Sequence, residues 1–168
     1  GYVRDKQERT RNAPYADLSV KWAGGGVISS PVDLVRFSDA LLGGRLVSGR
    51  TLKEMATRGV LAGGKQTGYG LGLSVGQDDL LGREIGHGGG STGFSSRWSA
   101  FPEQRISVAV ITNLRDKDSG QIVGRVARTL ARIALEELLA RCPDFRVDFH
   151  AGNFASGNYV RRYVTLPF

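Results

Sequence analysis

Residues 83–111 read REIGHGGGSTGFSSRWSAFPEQRISVAVI, and the punctuation of this stretch decides the fold. Arg83 to His87 is a short strand candidate. Phe94 to Phe101 is a second, rich in aromatics and serines. Pro102 to Arg105 reads as a turn, and Ile106 to Ile111 is a nearly continuous apolar run of β-branched residues. The connections are too short for a crossover, so the strands pair as an antiparallel meander. Upstream, Tyr69, Leu71, Leu73 and Val75 alternate with Gly70, Gly72 and Ser74, the period-two pattern of one more strand.

Helices flank this sheet in the sequence. Ser30 is a suitable N-cap, Pro31 suits the first helical position and Asp33 lies in the first turn. Leu34, Phe37, Leu41 and Leu42 then recur at helical spacing until Gly43 and Gly44 end the run. Ser48 caps a shorter helix with Leu52 and Met55 inward, closed by Gly59. A long helix starts at Asp118 or Ser119, with Val123, Val126, Leu130, Ile133, Ala134 and Leu138 on one face. Gly1 to Lys21 is polar and irregular and reads as an extended loop. The expected class is α/β in the α+β sense, an antiparallel sheet flanked by helices. Residues 1–142 form the folded portion, and residues 143–168 form a tail of different character to which the sequence assigns no role.

Composition narrows the function. The 168 residues suit one domain or a large piece of one. The 24 glycines, about twice the usual ~7% share, fall in short runs that mark turns and close backbone approaches. The net charge of +7 comes with interspersed acids and no run of four basic residues, which describes a solvated basic surface and no nucleic-acid partner. Cys142 is the only cysteine, so no internal disulfide can form. No stretch of 18 apolar residues is present to span a membrane. His87, His150 and Cys142 lack ligand spacing, so neither metal nor organic cofactor is expected.

The run His87 to Gly93 satisfies several motifs at once. Gly88, Gly90 and Gly93 fit G-x-G-x-x-G, but a dinucleotide site needs a helix after the loop to meet the phosphate, and a strand pattern comes next here. Gly89, Ser91 and Gly93 fit G-x-S-x-G, with Asp116 and His150 in triad order; that elbow also needs a helix directly after it. It remains an alternative, a hydrolase using Ser91. Gly59 to Lys65 resembles a phosphate loop, but Gln66 stands where a Mg²⁺-binding hydroxyl belongs.

Three stretches together resemble the C-terminal half of the serine β-lactamase-like family, which includes class C β-lactamases, related esterases and D-aminopeptidases. They are PYADLSVKWAGGGVISSPVDLVRFSDALL at 14–42, YGLGLSV at 69–75 and GHGGGSTGFSS at 86–96. The first is especially similar to the mitochondrial branch. The third resembles the family's third active-site motif, K-T-G in many members and H-x-G in others, which falls here on His87, Gly88 and Gly89. The resemblance implies a β-lactamase/transpeptidase-like fold and cleavage of an amide or ester through an acyl-serine. It implies that His87 faces the attacked carbonyl or a neighbouring carboxylate with a hydrogen-bonding group. The Gly90 N–H would be one of two oxyanion donors. Gly88, Gly89, Ser91 and Thr92 would line the site of a small-molecule or peptide substrate.

The resemblance also has a gap. The family's nucleophile element S-x-x-K is absent, since no serine has lysine three residues on. None of the five tyrosines begins Y-x-N, and Ser156-Gly157-Asn158 fits S-x-N only after the third motif. In the family both elements lie upstream of the matched region. The expected partner is therefore an N-terminal part of the same domain, without which the chain forms no acyl-enzyme and leaves a sheet edge and part of its core uncovered. A catalytically silent binding or scaffold module of the same fold is the alternative. The compartment stays open, because family members occur in the periplasm, outside the cell and in mitochondria.

Overall fold

A computed structural model describes residues 1–115 and 118–141. The elements in order are strands β1 (Tyr2–Arg4) and β2 (Thr10–Asn12), helices α1 (Trp22–Gly25), α2 (Pro31–Leu42) and α3 (Gly49–Met55), strands β3 (Ser74–Asp78), β4 (Gly82–Ser91), β5 (Phe94–Phe101) and β6 (Ile106–Thr112), and helix α4 (Ser119–Arg141). The last four strands form one antiparallel sheet in the order β3-β4-β5-β6. The protein is thus α+β, an antiparallel sheet flanked by helices.

The α2 start obeys its sequence. The Ser30 hydroxyl accepts the Asp33 N–H at 3.2 Å and donates to the Asp33 carboxylate at 2.8 Å, while Pro31 occupies the first helical turn. Ser48 caps α3 in the same way through the Thr51 N–H at 3.1 Å. That helix ends at Met55 with Ala56 as its cap, before the predicted Gly59, because the Arg83 side chain donates to the Ala56 carbonyl and Leu71 N–H takes that of Met55. The helix ends against the sheet instead of at a glycine.

Alternation along the strands sends side chains to two different layers. Leu73, Ile85, Trp98 and Ala100 pack with Leu41 of α2 and Ala56 beyond α3, and Leu34, Leu52 and Met55 close around them. On the opposite face, Leu81, Phe101 and Val108 bury against Val123 and Ala127 of α4. Ile133, predicted to face inward, is at the exposed margin, and Ala127 takes the central place. In the α2 layer, the buried Ser38 shares a 2.9 Å hydrogen bond with Ser107 of β6, which satisfies it.

Two stretches differ from their sequence reading. Tyr69–Leu73 is a turn that bridges to Ser74, and the strand proper begins there; Gly72, at φ +76°, reverses the chain where an alternating strand was predicted. The N-terminal stretch is a hairpin, since β1 and β2 pair and Tyr2 bridges Leu114 at the end of β6. Asp5 organises its loop: one carboxylate oxygen accepts the N–H groups of Gln7 and Arg9, and the other accepts Arg9 and Arg11 side chains at 3.0 Å. The predicted tail, 143–168, and Leu138 as a side chain lie outside the described residues.

Asp78 joins the sheet to α4. One oxygen accepts the Leu80 and Leu81 N–H groups and the other accepts two Arg128 donors at 3.1 and 2.7 Å. Burial alone would raise this carboxyl, but the Arg128 hydrogen bonds and charge and the two N–H groups outweigh it and hold it below the usual carboxylate value. A depressed folded pKa adds stability above the unfolded value of about 3.9, and that stability is lost as pH falls through the folded value. Asp78→Asn should therefore cost about 1–2 kcal/mol at pH 7, with the gap to the parent closing as pH drops below about 4. Urea unfolding across pH 2.5–7 checks this; a gap that does not change with pH would refute it.

Candidate functional site

The site is built on β4. The strand carries Gly86, Gly88, Gly89 and Gly90 among its ten residues, a composition that by propensity alone would not hold a strand. It holds because β5 pairs with its glycine-rich part, from Ile85↔Ala100 to Ser91↔Phe94. Thr92 and Gly93 form the two-residue connection, with Gly93 at φ +80°. On its other side β4 has a partner only as far as Gly86, which pairs with Ser74. From His87 onward no strand among the described residues pairs with that edge.

The direction of the peptide groups along that edge is set by the ladder. Val75 N–H donates away from β4, to the Gly68 carbonyl, and the Ser74 hydroxyl donates to the Gly86 carbonyl at 2.9 Å. Glu84 and Gly86 therefore turn their peptide groups toward β3. Peptide groups alternate along a strand, so Gly88 and Gly90 turn theirs the same way, to the edge that β3 has left. Their N–H and C=O groups have no backbone partner among the described residues. A ligand lying along the edge would meet them as a β-strand partner does.

His87 is exposed on the α2 side of this edge. Its cross-strand partner is the buried Trp98, and its ring meets Tyr69 edge-on at 5.9 Å. Trp98 in turn takes Phe37 of α2 edge-on at 5.7 Å. Beside His87 opens a cleft of about 420 Å³, walled by Leu34, Phe37, Met55, Leu73 and Trp98 and rimmed by Gly88 and Gly89. Ala23 of α1 and Val27 after it also line the cleft, and Trp22, Val27 and Ile28 on this stretch are 84, 82 and 97% exposed. Of the residues predicted for the site, His87, Gly88 and Gly89 border the cleft, and Gly90 continues the same edge. Ser91 closes the strand and Thr92 lies in the turn beyond it, outside the cleft lining.

The competing motifs do not find their contexts. The loop with Ser91 joins two strands, so neither a dinucleotide helix nor a nucleophile elbow is present. Asp116 and His150, its triad partners by order, lie outside the described residues. Gly59–Lys65 is a small surface loop closed by Leu61 and Lys65, with no helix behind it.

The sequence reading missed two features. Tyr69 and Trp98 frame His87, which only the strand register reveals. On the far face of β4, Arg97 bridges Glu84 and Ser99, residues that sequence spacing does not bring together.

Comparison with known proteins agrees with this architecture. The Beta-lactamase family model matches residues 1–132. The chain belongs to that family, and its fold is of the serine-hydrolase type. A D-stereospecific amidohydrolase from Streptomyces sp. superimposes with a TM-score of 0.62 at 28% identity, covering 75% of this chain and 38% of that one. The octameric penicillin-binding protein homologue from Pyrococcus abyssi gives 0.62 and 28%, covering 78% and 30%. The human mitochondrial serine beta-lactamase-like protein LACTB is 51% identical over 43 residues, 26% of this chain and 8% of that protein. The chain therefore spans well under half the length of these relatives. A different match is to cytochrome P450 130 of Mycobacterium tuberculosis, 52% identical over 42 residues, 25% of this chain and 10% of that protein. Among the described residues, no helix is long and apolar enough to cross a membrane.

The glycines of β4 are not equivalent. A Cβ on Gly86 would collide with the Trp98 carbonyl oxygen and press on Ser99, whereas one on Gly90 would meet its nearest atoms, on Arg115, at an ordinary 3.7 Å. Gly86→Ala should destabilise by about 2 kcal/mol through overpacking, and Gly90→Ala should change stability by less than about 1 kcal/mol. Denaturant titration of both variants decides; equal costs would mean that the two positions are not packed as described.

Proposed function

We propose that this chain is the substrate-edge half of a serine hydrolase that cleaves an amide or ester through an acyl-enzyme, and that the nucleophile and its base come from an upstream part of the same domain. The observation that carries the reading is the open edge of β4, where the peptide groups of Gly88 and Gly90 are unpaired beside His87 and the cleft. In this reading the Gly90 N–H is an oxyanion donor. It is fixed before the reaction by the β5 ladder and needs no rearrangement as charge develops on the carbonyl oxygen. Gly88 and Gly89 let the substrate backbone approach closely, and His87 presents a hydrogen-bonding group to the acyl or carboxylate side. Ser91 and Thr92 lie further along and bound the far end of the substrate.

The exposed Trp22, Val27 and Ile28 support the second half of the proposal. Apolar side chains of this size grouped beside an apolar cleft mark a surface that another part of the molecule covers. The upstream segment is the occupant in this reading, consistent with the 30–38% of the structural relatives that the chain covers.

The end of the chain has its own reading. The 36 residues from 133 to 168 lie beyond the family match. A 42-residue likeness to a P450 is not expected inside a β-lactamase domain, and it is too long for those 36 residues alone. We infer that it covers them and the adjoining part of α4, so that the chain joins two unrelated sequences near the middle of that helix. The domain boundary expected at 142 would then lie earlier. Amplifying the transcript across the codons for residues 120–150 tests the join; two separate transcripts would refute it.

Acylation tests the main proposal. The chain alone should give no covalent adduct with a fluorophosphonate probe, detected by intact mass, and no hydrolysis of p-nitrophenyl acetate above background. Joined to an in-frame upstream segment that carries S-x-x-K, it should give one adduct per chain. In that protein Gly90→Pro, which removes the N–H at an edge position, should lower kcat by about 10²–10³, while Gly90→Ala, which keeps it, should not. Adduct formation by the chain alone would refute the shared-site reading. Folding of the joined protein without an adduct would favour a catalytically silent module.

A further inference from the structure

We propose that Arg97 is a positioning residue, held by Glu84 and Ser99, that fixes the Gly88–Gly90 edge from behind. The proposal rests on the reading of that edge as the substrate strand, but its geometry stands by itself. Arg97 faces Gly88 across the β4–β5 ladder. Its Cδ and Nη1 lie 3.8 Å from the position a Gly88 Cβ would take. From there the guanidinium reaches back along the strand, past Gly86, and its Nη2 donates to Glu84 Oε1 at 2.9 Å. The Arg97 Nε donates to Ser99 Oγ at 3.2 Å, and Ser99 Oγ donates to the same Glu84 oxygen at 2.5 Å. Arg97 and Glu84 side chains are 24 and 25% exposed, so the ring of contacts is half-buried.

This arrangement supplies what the glycines lack. Gly86 and Gly88 offer no side chains on this face, and glycine in a strand carries a large conformational freedom that must be restrained. The Arg97 stem covers the bare backbone, and the charged, three-point closure ties the first half of β4 to β5 on both sides of the gap. On the opposite face the buried Trp98 pairs with His87, between the two glycines. The open edge is thus gripped between Trp98 and Arg97, which leaves its peptide groups fixed in direction without a strand beyond them.

Amide exchange by NMR separates this role from a general contribution to stability. The His87, Gly89 and Ser91 N–H groups bond toward β5 and report on how firmly β4 is held, while Val108 and Val110 of β6 serve as internal references. In Arg97→Met and in Glu84→Gln, exchange at His87 and Gly89 should quicken at least about tenfold relative to Val108 and Val110. Arg97→Lys, which can reach Glu84 but cannot also bridge Ser99, should lie between. Should Arg97→Met not fold, Arg97→Lys and Glu84→Gln carry the test. A uniform rise at all five amides, or none, would overturn the proposal. If the local rise is seen and Gly90→Pro leaves acylation intact in the joined protein, the clamp stands and the substrate-edge reading fails.

Discussion

The cleft side of this protein depends on a strand that is paired on one side only over its second half. β5 pairs with β4 from Ile85 to Ser91, whereas β3 stops at the Ser74↔Gly86 pair. An unpaired edge in a folded protein is usually a liability, met by charge, a bulge or a cover. Here the edge is instead bare of side chains, because three consecutive glycines occupy it. Bareness makes close approach easy and makes the strand itself weak. The two demands are reconciled by the neighbouring strand: on one face Arg97 of β5 lies against Gly88, and on the other Trp98 pairs with His87 at the start of the glycine run.

The two layers that sandwich the sheet are not equally complete. On the α4 side, Phe101 and Val123 are 1% exposed and Ala127 is fully buried, with Asp78 and Arg128 bracing one margin. On the α2 side a comparable cluster around Leu41, Ile85 and Trp98 closes well, but the layer then ends at the cleft, with Trp22, Val27 and Ile28 beside it in solvent. Burial of side chains of this kind is worth roughly 1.5–3 kcal/mol each, so the exposed group represents stabilisation not realised within the described residues. The asymmetry places the deficit next to the edge of β4, where the family's nucleophile would have to arrive for the chemistry to be complete.

Much of this was legible in the sequence because its signals are local. Ser30, Pro31 and Asp33 specify a helix start with their own side chains, and β5 and β6 were delimited by aromatic and β-branched runs around Pro102. Tyr69 to Leu73 was misread because glycine alternating with large residues satisfies a period of two whether the chain is extended or, as at Gly72, reversed. The N-terminal hairpin was missed because its pairing depends on Asp5 gathering the loop, a contact among polar residues that hydrophobic periodicity does not register. The Arg97–Glu84–Ser99 ring was out of reach for a different reason. It requires the β4–β5 register, and a slip of one residue would have turned Arg97 into the cleft.

In the Gly-rich run at 86–93, the element that comes after the motif carries more than the motif itself. A dinucleotide loop and a nucleophile elbow both draw their chemistry from the free N–H groups at the start of a helix. After Gly93 the chain instead enters β5, and those donors do not exist. A hairpin consumes the N–H groups of alternate residues in its ladder, here His87, Gly89 and Ser91, and releases the others sideways. The donors that remain on the open stretch of β4 are therefore those of Gly88 and Gly90. Of the contexts that the glycine pattern could have served, a strand edge is the one this topology builds, and a helix N-terminus is not.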